Sequence, residues 1–551
     1  MQPWYFLLNG SSLPPVEDIG GKARSLARLH QLDLACPVAF VLPTQVCHAY
    51  TDLDHKLPPE AEEALRLGIA CLEESSGKQF GHGSRPLLLS VRSGAPVSMP
   101  GMMDTVLNLG INDAVEQTLA TESLDVEFAR DTHRRFVLSY GRIVLKADLD
   151  DETAAPDQLR AAALVETGQA VPVDPWEQLR GAVCAVLDSW QSSRSRVYRR
   201  HMNIPDSLGT AVTIQEMVFG NLGANSGTGV LFSRDPLSGA REPYGEYLRG
   251  GQGEDVVSGE RTPLPLSDLA EQLPAVYEQL LHSAQLLERE ERDMQDIEFT
   301  VEQGRLYLLQ SRRAKRAPAS AVRLAVDFVD DGLITEEEAL DRITVDQVEH
   351  VLRPRLGDHE RNNAAVLAHG EAASPGVASG VALSDPDEVE RRAKNGESVV
   401  FVTTTTSPEH VQAMISSVAV CTETGGSTSH AAVVCRGLGR PAVVGCGVGV
   451  VGELEGREVT VVGDTGQVFV GRLLLRAVDE VDEKYLSRLR EWVTSRIESA
   501  VSDEEGEPRG TRRPLTSLLS AYFAARASSS TTTVAPTIGT PSNVTTSNDD
   551  L

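Results

Sequence analysis

The sequence GGSTSHA at residues 425–431 indicates a tight turn that leads into a helix. The two glycines allow the turn, Thr428 or Ser429 can cap the helix, and residues 431–436 are predicted to form its body before two further glycines end it. His430 then lies at the mouth of the helix, where free backbone N–H groups and the helix dipole favour an anion on the imidazole. The pattern predicts a histidine that carries a phosphoryl group; a structural or capping histidine is the alternative.

The overall composition is that of a multidomain globular protein. The chain has 551 residues, 41% of them hydrophobic, and a formal net charge of -28. Its length suggests roughly three or four domains. Its charge argues against generic binding to DNA, RNA or acidic membranes, because such binding needs clustered Lys and Arg. The sequence shows neither an apolar run long enough to span a bilayer nor a charged n-region, so we expect a cytoplasmic protein.

The cysteines indicate a reduced protein. There are seven, an odd number, and they are scattered without a Cys-x-x-Cys pair, which argues against a disulfide framework and a structural zinc site. Cys435 follows His430 by five residues and can be interpreted as a nucleophile paired with it. Its position on the apolar helix face Ala-Val-Val-Cys favours a buried core residue instead.

Shifts in pattern divide the chain into five segments. Residues 1–316 alternate strand-like and helix-like stretches with glycine-rich turns, and residues 317–365 read as helices. A second α/β unit, rich in short valine runs, occupies residues 366–473. Residues 474–524 are predicted to form a charged helical extension, and residues 525–551, rich in Ser and Thr, are predicted to be disordered. The predicted fold class is therefore α/β with several domains.

Two carboxylates alternate along the predicted strand pair at residues 296–310. The period-2 alternation of a strand puts Asp296 and Glu298 on one face and Ile297 and Phe299 on the other. Neighbouring carboxylates repel each other, and more strongly where they are partly buried, so the arrangement invites a divalent cation. With nucleotide phosphates present, magnesium is the expected ion. A solvated acidic face is the alternative.

Cationic residues beside glycines suggest phosphate binding upstream of the strand pair. Lys22 follows two glycines and precedes a helix-like stretch through Leu29, so it can meet a phosphate near a helix start. Arg92 lies at the end of the predicted strand 87–91 and can bridge phosphates with its planar fork. Both residues are candidates for contacts to a nucleotide.

A further glycine-rich segment, residues 220–229, follows a predicted strand at residues 211–218. It is too dispersed for a Walker A loop and lacks the terminal Gly-Lys-Ser/Thr. We interpret it, with Thr228 and Gly229 at its end, as a mobile loop that closes over a nucleotide. No Gly-x-Gly-x-x-Gly follows a strand with a downstream acid, so the sequence does not support a dinucleotide-binding fold.

Together these segments resemble the pyruvate, phosphate dikinase family from roughly residue 5 to residue 472. The Met-Pro-Gly-Met-Met-Asp run is similar to the dikinases rather than to phosphoenolpyruvate synthase. The resemblance rests on the motifs at residues 20–22, 91–95, 98–110, 244–247, 252–257, 293–299, 310 and 422–437.

The resemblance implies an ATP-grasp nucleotide-binding domain at residues 1–316, a helical linker at 317–365 and a swivelling phosphohistidine domain at 366–473. In that family the histidine attacks the β-phosphoryl group of ATP and AMP leaves. Inorganic phosphate then accepts the terminal phosphoryl group, and pyrophosphate departs from a phosphohistidine enzyme. Such transfers need positioning and charge neutralisation more than covalent machinery. ATP is thus the implied substrate and Mg²⁺ the implied cofactor.

The same resemblance assigns roles to single residues. His430 becomes the nucleophile and carrier, since a neutral imidazole is available near pH 7. The implied magnesium ligands are Asp296, Glu298 and Gln310. The implied ATP-binding residues are Lys22, Arg92, Gly101, Thr228, Gly229, Asp296, Glu298, Gln310 and Arg312, of which Gly101, Thr228 and Gly229 are assigned to loops that close on phosphate.

Several features depart from the family pattern. The family ends in a (β/α) barrel that binds pyruvate and phosphoenolpyruvate and needs ~250 residues, whereas about 80 residues follow Arg472. Thr403 and Thr424 stand where the dikinases usually have arginines near the phosphohistidine, and Pro96 replaces another arginine. Thr428 occupies the position of the regulatory threonine in plant dikinases, although an N-cap is the simpler interpretation.

The leading hypothesis is a pyruvate, phosphate dikinase-like phosphotransferase that charges His430 with ATP and inorganic phosphate and passes the phosphoryl group to pyruvate, or another acceptor, on a separate chain. The expected partners are ATP, phosphate, a small-molecule acceptor and a separate barrel protein that binds phosphoenolpyruvate and pyruvate. A homodimer is left open, and neither nucleic acid nor membrane is expected. The alternatives are an ATP-dependent phosphotransferase for an unrelated small molecule and a non-catalytic nucleotide-binding regulator, which the retained site residues disfavour.

Overall fold

The computed structural model describes residues 3–97, 99, 101–149, 153–257, 263–352, 355–356, 358–476, 484–500 and 513–530. The chain divides into two compact units. The first combines residues 1–320 with 355–476, and the second combines residues 321–354 with 477–551. In neither unit does a described helix have the length and apolar character that crossing a membrane requires.

The N-terminal region of the first unit alternates strands and helices. Its strands are β1 (Phe6–Leu7), β2 (Ala39–Leu42), β3 (Gln79–Phe80), β4 (Pro86–Leu87), β5 (Leu89–Gly94), β6 (Thr105–Leu109), β7 (Ala211–Glu216), β8 (Gly227–Phe232), β9 (Tyr244–Arg249), β10 (Leu264–Pro265), β11 (Gln295–Glu302) and β12 (Arg305–Arg313). Its helices are α1 (Val16–Gln31), α2 (Thr44–Asp52), α3 (Pro59–Ser76), α4 (Asp113–Ser123), α5 (Val126–Tyr140), α6 (Pro156–Thr167), α7 (Pro175–Ser189), α8 (Ser193–His201), α9 (Gly253–Val257), α10 (Leu266–Gln272) and α11 (Pro274–Glu291).

Two five-stranded antiparallel sheets organise this region. The strand order is β1-β2-β7-β5-β6 in the first sheet and β10-β9-β8-β11-β12 in the second. Ile297 and Phe299 of β11 lie fully buried in the core beneath the second sheet. Burial of a large apolar side chain stabilises the fold by about 1.5–3 kcal/mol. The predicted alternation along β11, with these two residues facing the core, is thereby confirmed.

Strand β5 lies further along the chain than the sequence predicts. Residues 87–91 were expected, whereas β5 runs from Leu89 to Gly94. The strand continues because its pairing with β7 does, and Arg92 stands opposite Thr213. Arg92 is therefore a residue within a strand, with the direction of its side chain fixed by the pleat.

The predicted loop at Thr228 and Gly229 is wrong. Both residues lie within β8, which pairs with β9 on one side and β11 on the other. A Cβ at Gly229 would overlap the carbonyl oxygen of Glu246 and the ring of Phe299. Glycine at this position thus allows close packing in the sheet, whereas residues 220–226 precede the strand and Gly223 has φ 76°.

The helices predicted between residues 317 and 365 are present. They are α12 (Pro318–Asp330), α13 (Glu336–Asp341), α14 (Val345–Val351) and α15 (Asp358–Asn363), with the short strand β13 (Arg355–Leu356) before the last. Thr335 and Thr344 each cap a helix in a reciprocal capping box, with Glu338 and Gln347 as the respective partners. This capping explains why two such short helices form side by side.

The C-terminal region of the first unit is built on an eight-stranded sheet of order β14-β21-β20-β16-β17-β18-β19-β15. The four strands β16, β17, β18 and β19 run parallel to one another, and the valine runs noticed in the sequence fill β17 and β19 as fully buried residues. The elements are β14 (Val366–His369), β15 (Glu371–Ser374), β16 (Val377–Leu383), α16 (Pro386–Lys394), β17 (Val399–Thr403), α17 (Val411–Ser416), β18 (Ala419–Thr422), α18 (His430–Leu438), β19 (Ala442–Val444), α19 (Val450–Leu454), β20 (Glu458–Val462), β21 (Gln467–Val470) and β22 (Leu475–Arg476).

The second unit is helical. Helices α20 (Lys484–Ala500) and α21 (Leu515–Ser530) pack with each other, α20 also contacts α13, and α21 contacts α14. Arg488 of α20 forms an ion pair with Asp330 of α12. Glu337 forms ion pairs with Arg496 and Arg526. Leu489 and Leu519 are fully buried. Of the helical extension predicted for residues 474–524, the described residues form α20 and the start of α21, whereas Leu475 and Arg476 belong to the strand β22.

The disorder predicted from residue 525 onward begins too early, because α21 continues to Ser530. Buried Leu515, Leu519 and Tyr522 anchor this helix, and the sequence pattern beyond Tyr522 contains too few apolar residues to reveal its last turns. Residues 531–551 lie outside the described residues. The prediction of a disordered tail therefore remains a prediction for that part of the chain.

Removal of residues 477–551 is expected to loosen α12, α13 and α14. The shortened chain loses the buried apolar side chains of α20 and α21, each worth about 1.5–3 kcal/mol. Limited trypsin digestion should cleave residues 321–354 at least about tenfold faster, because proteolysis follows the population of locally opened states. A chain that ends at Ser530 is the control and should resist like the full chain. Equal resistance of both shortened chains would contradict the packing of the second unit.

All seven cysteines lie in the described part of the chain, and all are free thiols. Cys435 is fully buried on α18, and burial raises its pKa to about 12. A thiol held protonated in this way is a poor nucleophile. The expectation that Cys435 is a core residue is confirmed.

Candidate active site

A cavity of about 1080 Å³ opens in the first unit between α1, β5, β11, β12 and the start of α18. Its volume is large enough for a nucleotide-sized ligand. The predicted site residues that line it are Lys22, Arg92, Gly101, Glu298, Gln310, Arg312 and His430. Residues up to 408 positions apart in the sequence are thus brought to one cavity.

Lys22 is placed by a break near the start of α1. Gly20 has φ 74° inside the helix, and a Cβ there would overlap the carbonyl oxygen of Gly94. The next residue, Gly21, donates its N–H to the carbonyl oxygen of Ala95 at 3.1 Å. These contacts hold the chain before Lys22 against the end of β5, so that its side chain enters the cavity.

The ammonium of Lys22 lies among other charged groups. Burial, followed by the nearby charges of Arg92 and Arg312, lowers its pKa to about 7, while Glu298 acts in the opposite direction. An anion bound beside Lys22 would raise its pKa again and restore the charged form of the ammonium. The cavity therefore favours an anionic ligand at Lys22.

Arg92 connects β5 to β7 and β11. Its Nη1 donates to Gln215 Oε1 and its Nη2 to Glu298 Oε2, each at 3.3 Å. Burial alone would raise the pKa of Glu298, but the charges of Arg92, Arg312 and Lys22 together lower it. Glu298 therefore remains ionised inside a cluster of cations.

The pairing of β11 with β12 sets two further side-chain positions, with Asp296 opposite Arg312 and Glu298 opposite Gln310. Arg312 Nε donates to Asp296 Oδ2 at 2.8 Å, and this carboxylate raises the pKa of Arg312. Two buried oxygens, Asp296 Oδ1 and Gln310 Oε1, have no hydrogen-bond partner within the described residues. Such oxygens are suited to bind a hard cation.

The helix predicted after the glycine turn at residues 425–426 is α18, which begins at His430 and ends at Leu438. Ser429 is its cap, because its hydroxyl accepts from the N–H of Ala432 at 3.5 Å. Gly439 ends the helix in the left-handed conformation with φ 62°. Of the two capping residues predicted, Ser429 is confirmed, and the N-cap interpretation of Thr428 is wrong because Thr428 precedes the cap position.

The imidazole of His430 lines the cavity. Neither Nδ1 nor Nε2 has a hydrogen-bond partner within the described part of the chain, and both atoms are buried. Burial, followed by the charges of His410 and Lys315, lowers its pKa to about 4. The ring is therefore neutral at physiological pH, with a nitrogen lone pair available for attack.

The turn before His430 is held by Glu246 of β9. The carboxylate of Glu246 accepts from Ser427 Oγ at 2.8 Å and from Thr428 Oγ1. Burial, followed by the charge of Glu371, raises the pKa of Glu246. Glu371 in turn accepts from the Ser427 N–H at 3.1 Å and from the hydroxyl of Tyr244 at 2.6 Å. The contacts of Glu246 hold the turn before His430 against strand β9 of the second five-stranded sheet.

Three predicted site residues lie away from the cavity wall. Thr228 donates its hydroxyl to the carbonyl oxygen of Phe299 at 3.0 Å, so it is a sheet residue, as is Gly229. Asp296 lies behind Arg312 rather than at the surface of the cavity. Gly101, with φ 72°, does line the cavity in the turn before β6.

Sequence reasoning missed Gln215, Glu246 and Lys315. Gln215 and Lys315 sit beside predicted residues in space, and Glu246 belongs to a motif, Tyr-Gly-Glu-Tyr, that the sequence revealed without a role. The strand β7, which carries Gln215, was predicted. The signal that could have been used for Gln215 was its alternation, together with Thr213, with the apolar residues Val212 and Ile214 of that strand.

Comparisons with known proteins agree with this arrangement. A family model described as "Pyruvate phosphate dikinase, AMP/ATP-binding domain" matches residues 53–266, and one described as "PEP-utilising enzyme, mobile domain" matches residues 395–466. The second match includes His430. The strand pair β11 and β12 lies beyond the end of the first match.

Curated relatives extend the similarity over most of the chain. The pyruvate, phosphate dikinase of Clostridium symbiosum is 38% identical over 508 residues, and that of Rhizobium meliloti (strain 1021) is 39% identical over 525 residues; each alignment covers 86% of this chain and 58% of the relative. Pyruvate, phosphate dikinase 2 of Zea mays is 40% identical over 492 residues, covering 83% of this chain and 56% of the relative. The chain thus spans less than two thirds of the length of these relatives.

The fold and the site define a mixed α/β protein that joins an ATP-binding region to a mobile-domain region with a buried, neutral histidine. Within that class, the chain is similar to the pyruvate, phosphate dikinases, of whose length it covers about 58%.

Proposed function

We propose that this chain carries out the ATP half-reaction of a dikinase and charges His430 with a phosphoryl group. The observation that carries the proposal is the location of His430, whose unpartnered ring nitrogens share one cavity with Lys22, Arg92 and Arg312. A neutral nucleophile and three cations are the groups that phosphoryl transfer from ATP requires.

The proposed chemistry has two transfers. In the first, a ring nitrogen of His430 forms a bond to the β-phosphorus of ATP while the bond from that phosphorus to the bridging oxygen breaks and AMP leaves. The other ring nitrogen loses its proton to solvent. In the second transfer, an oxygen of inorganic phosphate bonds to the terminal phosphorus, the bridge to the β-phosphorus breaks, and pyrophosphate leaves. One phosphoryl group then remains on His430.

The cations would bind the phosphates in the first transfer. Lys22 and Arg92 approach from α1 and β5, and Arg312 from β12, so that a triphosphate in the cavity meets positive charge from three elements. Such preorganised charge stabilises the transition state because little rearrangement is needed during reaction. Orientation of the nucleotide toward His430 is the main contribution of these residues.

Magnesium fits the oxygens on β11 and β12. Within the described residues no group of three or more His, Cys, Asp or Glu side chains could hold a metal by itself. Glu298 and the orphaned Gln310 Oε1 line the cavity and would supply hard oxygen donors, to which nucleotide phosphates would add their own. The orphaned Asp296 Oδ1, the third proposed ligand, lies off the cavity wall behind Arg312. When bound, Mg²⁺ would neutralise charge on the phosphates.

The domain assignment that we propose follows the family. Residues 1–316 would be an ATP-grasp nucleotide-binding domain, residues 317–365 a helical linker and residues 366–473 a swivelling phosphohistidine domain. The contacts of Glu246 with Ser427 and Thr428 support a docked arrangement in which His430 reaches the nucleotide cavity. Movement away from this position would carry the phosphoryl group to an acceptor.

The acceptor that we propose is pyruvate, bound to a barrel domain on a separate chain. Transfer to an unrelated small molecule is a second candidate, favoured by Thr403 and Thr424. Both side chains are uncharged, and their hydroxyls donate to the carbonyl oxygens of Thr405 and Thr404, each at 3.0 Å. The cytoplasmic location predicted from the sequence stays a prediction.

Labelling tests the proposal directly. The protein is incubated with ATP labelled at the β-phosphate, magnesium and inorganic phosphate, and we expect acid-labile, base-stable label in the wild type and none in His430→Ala. Label that persists in His430→Ala would rule out His430 as the carrier. AMP formation beyond one equivalent per protein in the absence of inorganic phosphate would argue against dikinase chemistry, and no label in the wild type would favour a non-catalytic regulator.

Nucleotide binding is expected to take up a proton at Lys22. With a pKa of about 7 in the free protein, Lys22 is largely neutral at pH 8, and a bound triphosphate raises its pKa. Affinity for a non-hydrolysable ATP analogue should therefore fall as the pH rises above 7, and calorimetry at pH 8 in buffers of different ionisation enthalpy should show uptake of about one proton. At pH 6 the uptake should nearly vanish.

The matched control for Lys22→Met is Lys56→Met, because Lys56 is exposed outside the cavity. Lys22→Met should abolish the proton uptake at pH 8, and Lys56→Met should retain it. An unchanged uptake in Lys22→Met would show that another group titrates.

A further inference from the structure

Lys315 is a lysine with neither a hydrogen bond nor an ion pair to any described residue. It belongs to the basic run Arg312-Arg313-Ala314-Lys315-Arg316 at the end of β12. The three arginines of this run have aspartate partners: Arg312 pairs with Asp296, and both Arg313 and Arg316 pair with Asp293. Lys315 lines the same cavity as His430, so it is the member of the run whose charge is left for a ligand.

The backbone around Lys315 is fixed on both sides. The N–H of Ala314 donates to the carbonyl oxygen of Met294 at 2.9 Å, and the N–H of Ala317 donates to the carbonyl oxygen of Pro236 at 2.9 Å. The side chain therefore starts from a rigid base. A rigid base matters because a preorganised charge loses less free energy to rearrangement when a ligand arrives.

The side chain of Lys315 lies against α18. A Cβ built at Gly437 would be 3.6 Å from Lys315 Nζ and 3.7 Å from its Cδ. Gly437 comes seven residues after His430, which is close to two helical turns, so both lie on one face of α18. The ammonium thus lies over the helix face that carries the histidine, roughly 10 Å along the axis from it at ~1.5 Å per residue. The absence of a side chain at Gly437 leaves room for Lys315 along that face.

Electrostatic coupling between Lys315 and His430 agrees with this geometry. The charge of Lys315 contributes to the lowered pKa of His430, and burial, followed by the charge of Arg312, lowers the pKa of Lys315 itself. Burial of an ammonium that has no ion pair among the described residues is unfavourable. A phosphoryl group on His430 would supply a negative charge that compensates the ammonium of Lys315.

We propose that Lys315 is the cation that binds the phosphoryl oxygens as the group moves from the nucleotide to His430. This role rests on the proposed function of His430. It differs from the role of Lys22 and Arg92, which approach the cavity from α1 and β5 and would bind the nucleotide before the transfer. Lys315 would contact the group most strongly during the transfer and afterwards.

Single-turnover labelling with β-labelled ATP, magnesium and inorganic phosphate separates these roles. Lys315→Met is expected to slow the appearance of label on His430 about 100-fold, as the loss of one preorganised charge does at other sites. Its dissociation constant for a non-hydrolysable ATP analogue should stay within about fivefold of the wild type, because the ground-state contacts remain. Lys315→Arg should keep most of the rate. Lys394→Met is the control, since Lys394 is exposed and paired with Glu390.

A double-mutant cycle distinguishes a direct electrostatic role of Lys315 from a purely structural one. Gly437→Val fills the space beside Lys315 Nζ and should slow charging in the presence of Lys315, but much less when Lys315→Met is already in place. Addition of ethylammonium should partly restore the rate of Lys315→Ala, and the control variant should not respond.

The outcomes distinguish the two proposals. Charging of Lys315→Met at the wild-type rate would overturn the assignment of Lys315 and leave His430 as the carrier. A loss of nucleotide affinity equal to the loss of rate would also overturn it, because Lys315 would then be a ground-state ligand of ATP. Absence of label in the wild type would instead remove the proposed function on which the assignment rests.

Discussion

Arg92→Met is expected to slow the charging of His430 by about three orders of magnitude, which corresponds to about 4 kcal/mol in the activation free energy. The guanidinium of Arg92 contacts Gln215 and Glu298 from within β5 and lines the cavity. Methionine occupies a similar volume but supplies neither charge nor hydrogen bonds. The transferring phosphates would lose a planar, bidentate donor that needs no reorganisation.

Loss of Arg92 also affects the charge balance around Glu298. In the wild type, Arg92 is the nearby cation that contributes most to the lowered pKa of this carboxyl group. Without Arg92, the carboxylate is less compensated, and its repulsion of nucleotide phosphates increases. Both effects act in the same direction, which is why the expected loss exceeds that of a single hydrogen bond.

Rapid-quench measurement of label on His430 from β-labelled ATP tests this expectation. Arg92→Lys keeps the charge but not the planar fork, so its rate should lie between those of the wild type and Arg92→Met. Arg391→Met is the matched control, because Arg391 is exposed and pairs with Glu388 on α16. A rate for Arg92→Met within about tenfold of the wild type would contradict a direct role in phosphate binding.

The parts of the site that the sequence predicted are those determined by local patterns. Period-2 alternation was sufficient to place Ile297 and Phe299 in the core, because strand geometry leaves two faces only. The turn and cap residues around His430 were sufficient to predict α18, although the cap proved to be Ser429. In both cases the determining interactions lie within a few residues along the chain.

The parts that the sequence did not predict depend on contacts between distant segments. Glu246 and Thr428 are 182 residues apart, and no local pattern links them. Lys315 has a special environment only because neighbouring arginines are paired elsewhere and Gly437 leaves space beside it. Gly229 was misassigned to a loop because composition does not reveal whether a glycine permits a turn or close packing between strands.

Glu246→Ala is expected to slow charging of His430 about 100-fold with little change in nucleotide affinity. Glu246 is the carboxylate to which both Ser427 and Thr428 donate, and hydrogen bonds to a charged group contribute about 1.5–3 kcal/mol each. Their loss would free the turn before His430 and lower the fraction of molecules in which the imidazole faces the nucleotide. Relief of the repulsion between Glu246 and Glu371 offsets part of this loss.

The comparison of rate with affinity tests this explanation. Glu246 contacts the histidine-bearing turn and is absent from the described lining of the cavity. The rate of labelling should therefore fall while the dissociation constant of a non-hydrolysable ATP analogue stays nearly constant. Glu246→Gln keeps one acceptor and should be intermediate, and Glu242→Ala, at an exposed position on the same segment, is the control. Equal rates in Glu246→Ala and Glu242→Ala would show that these contacts do not limit the approach of His430 to the nucleotide.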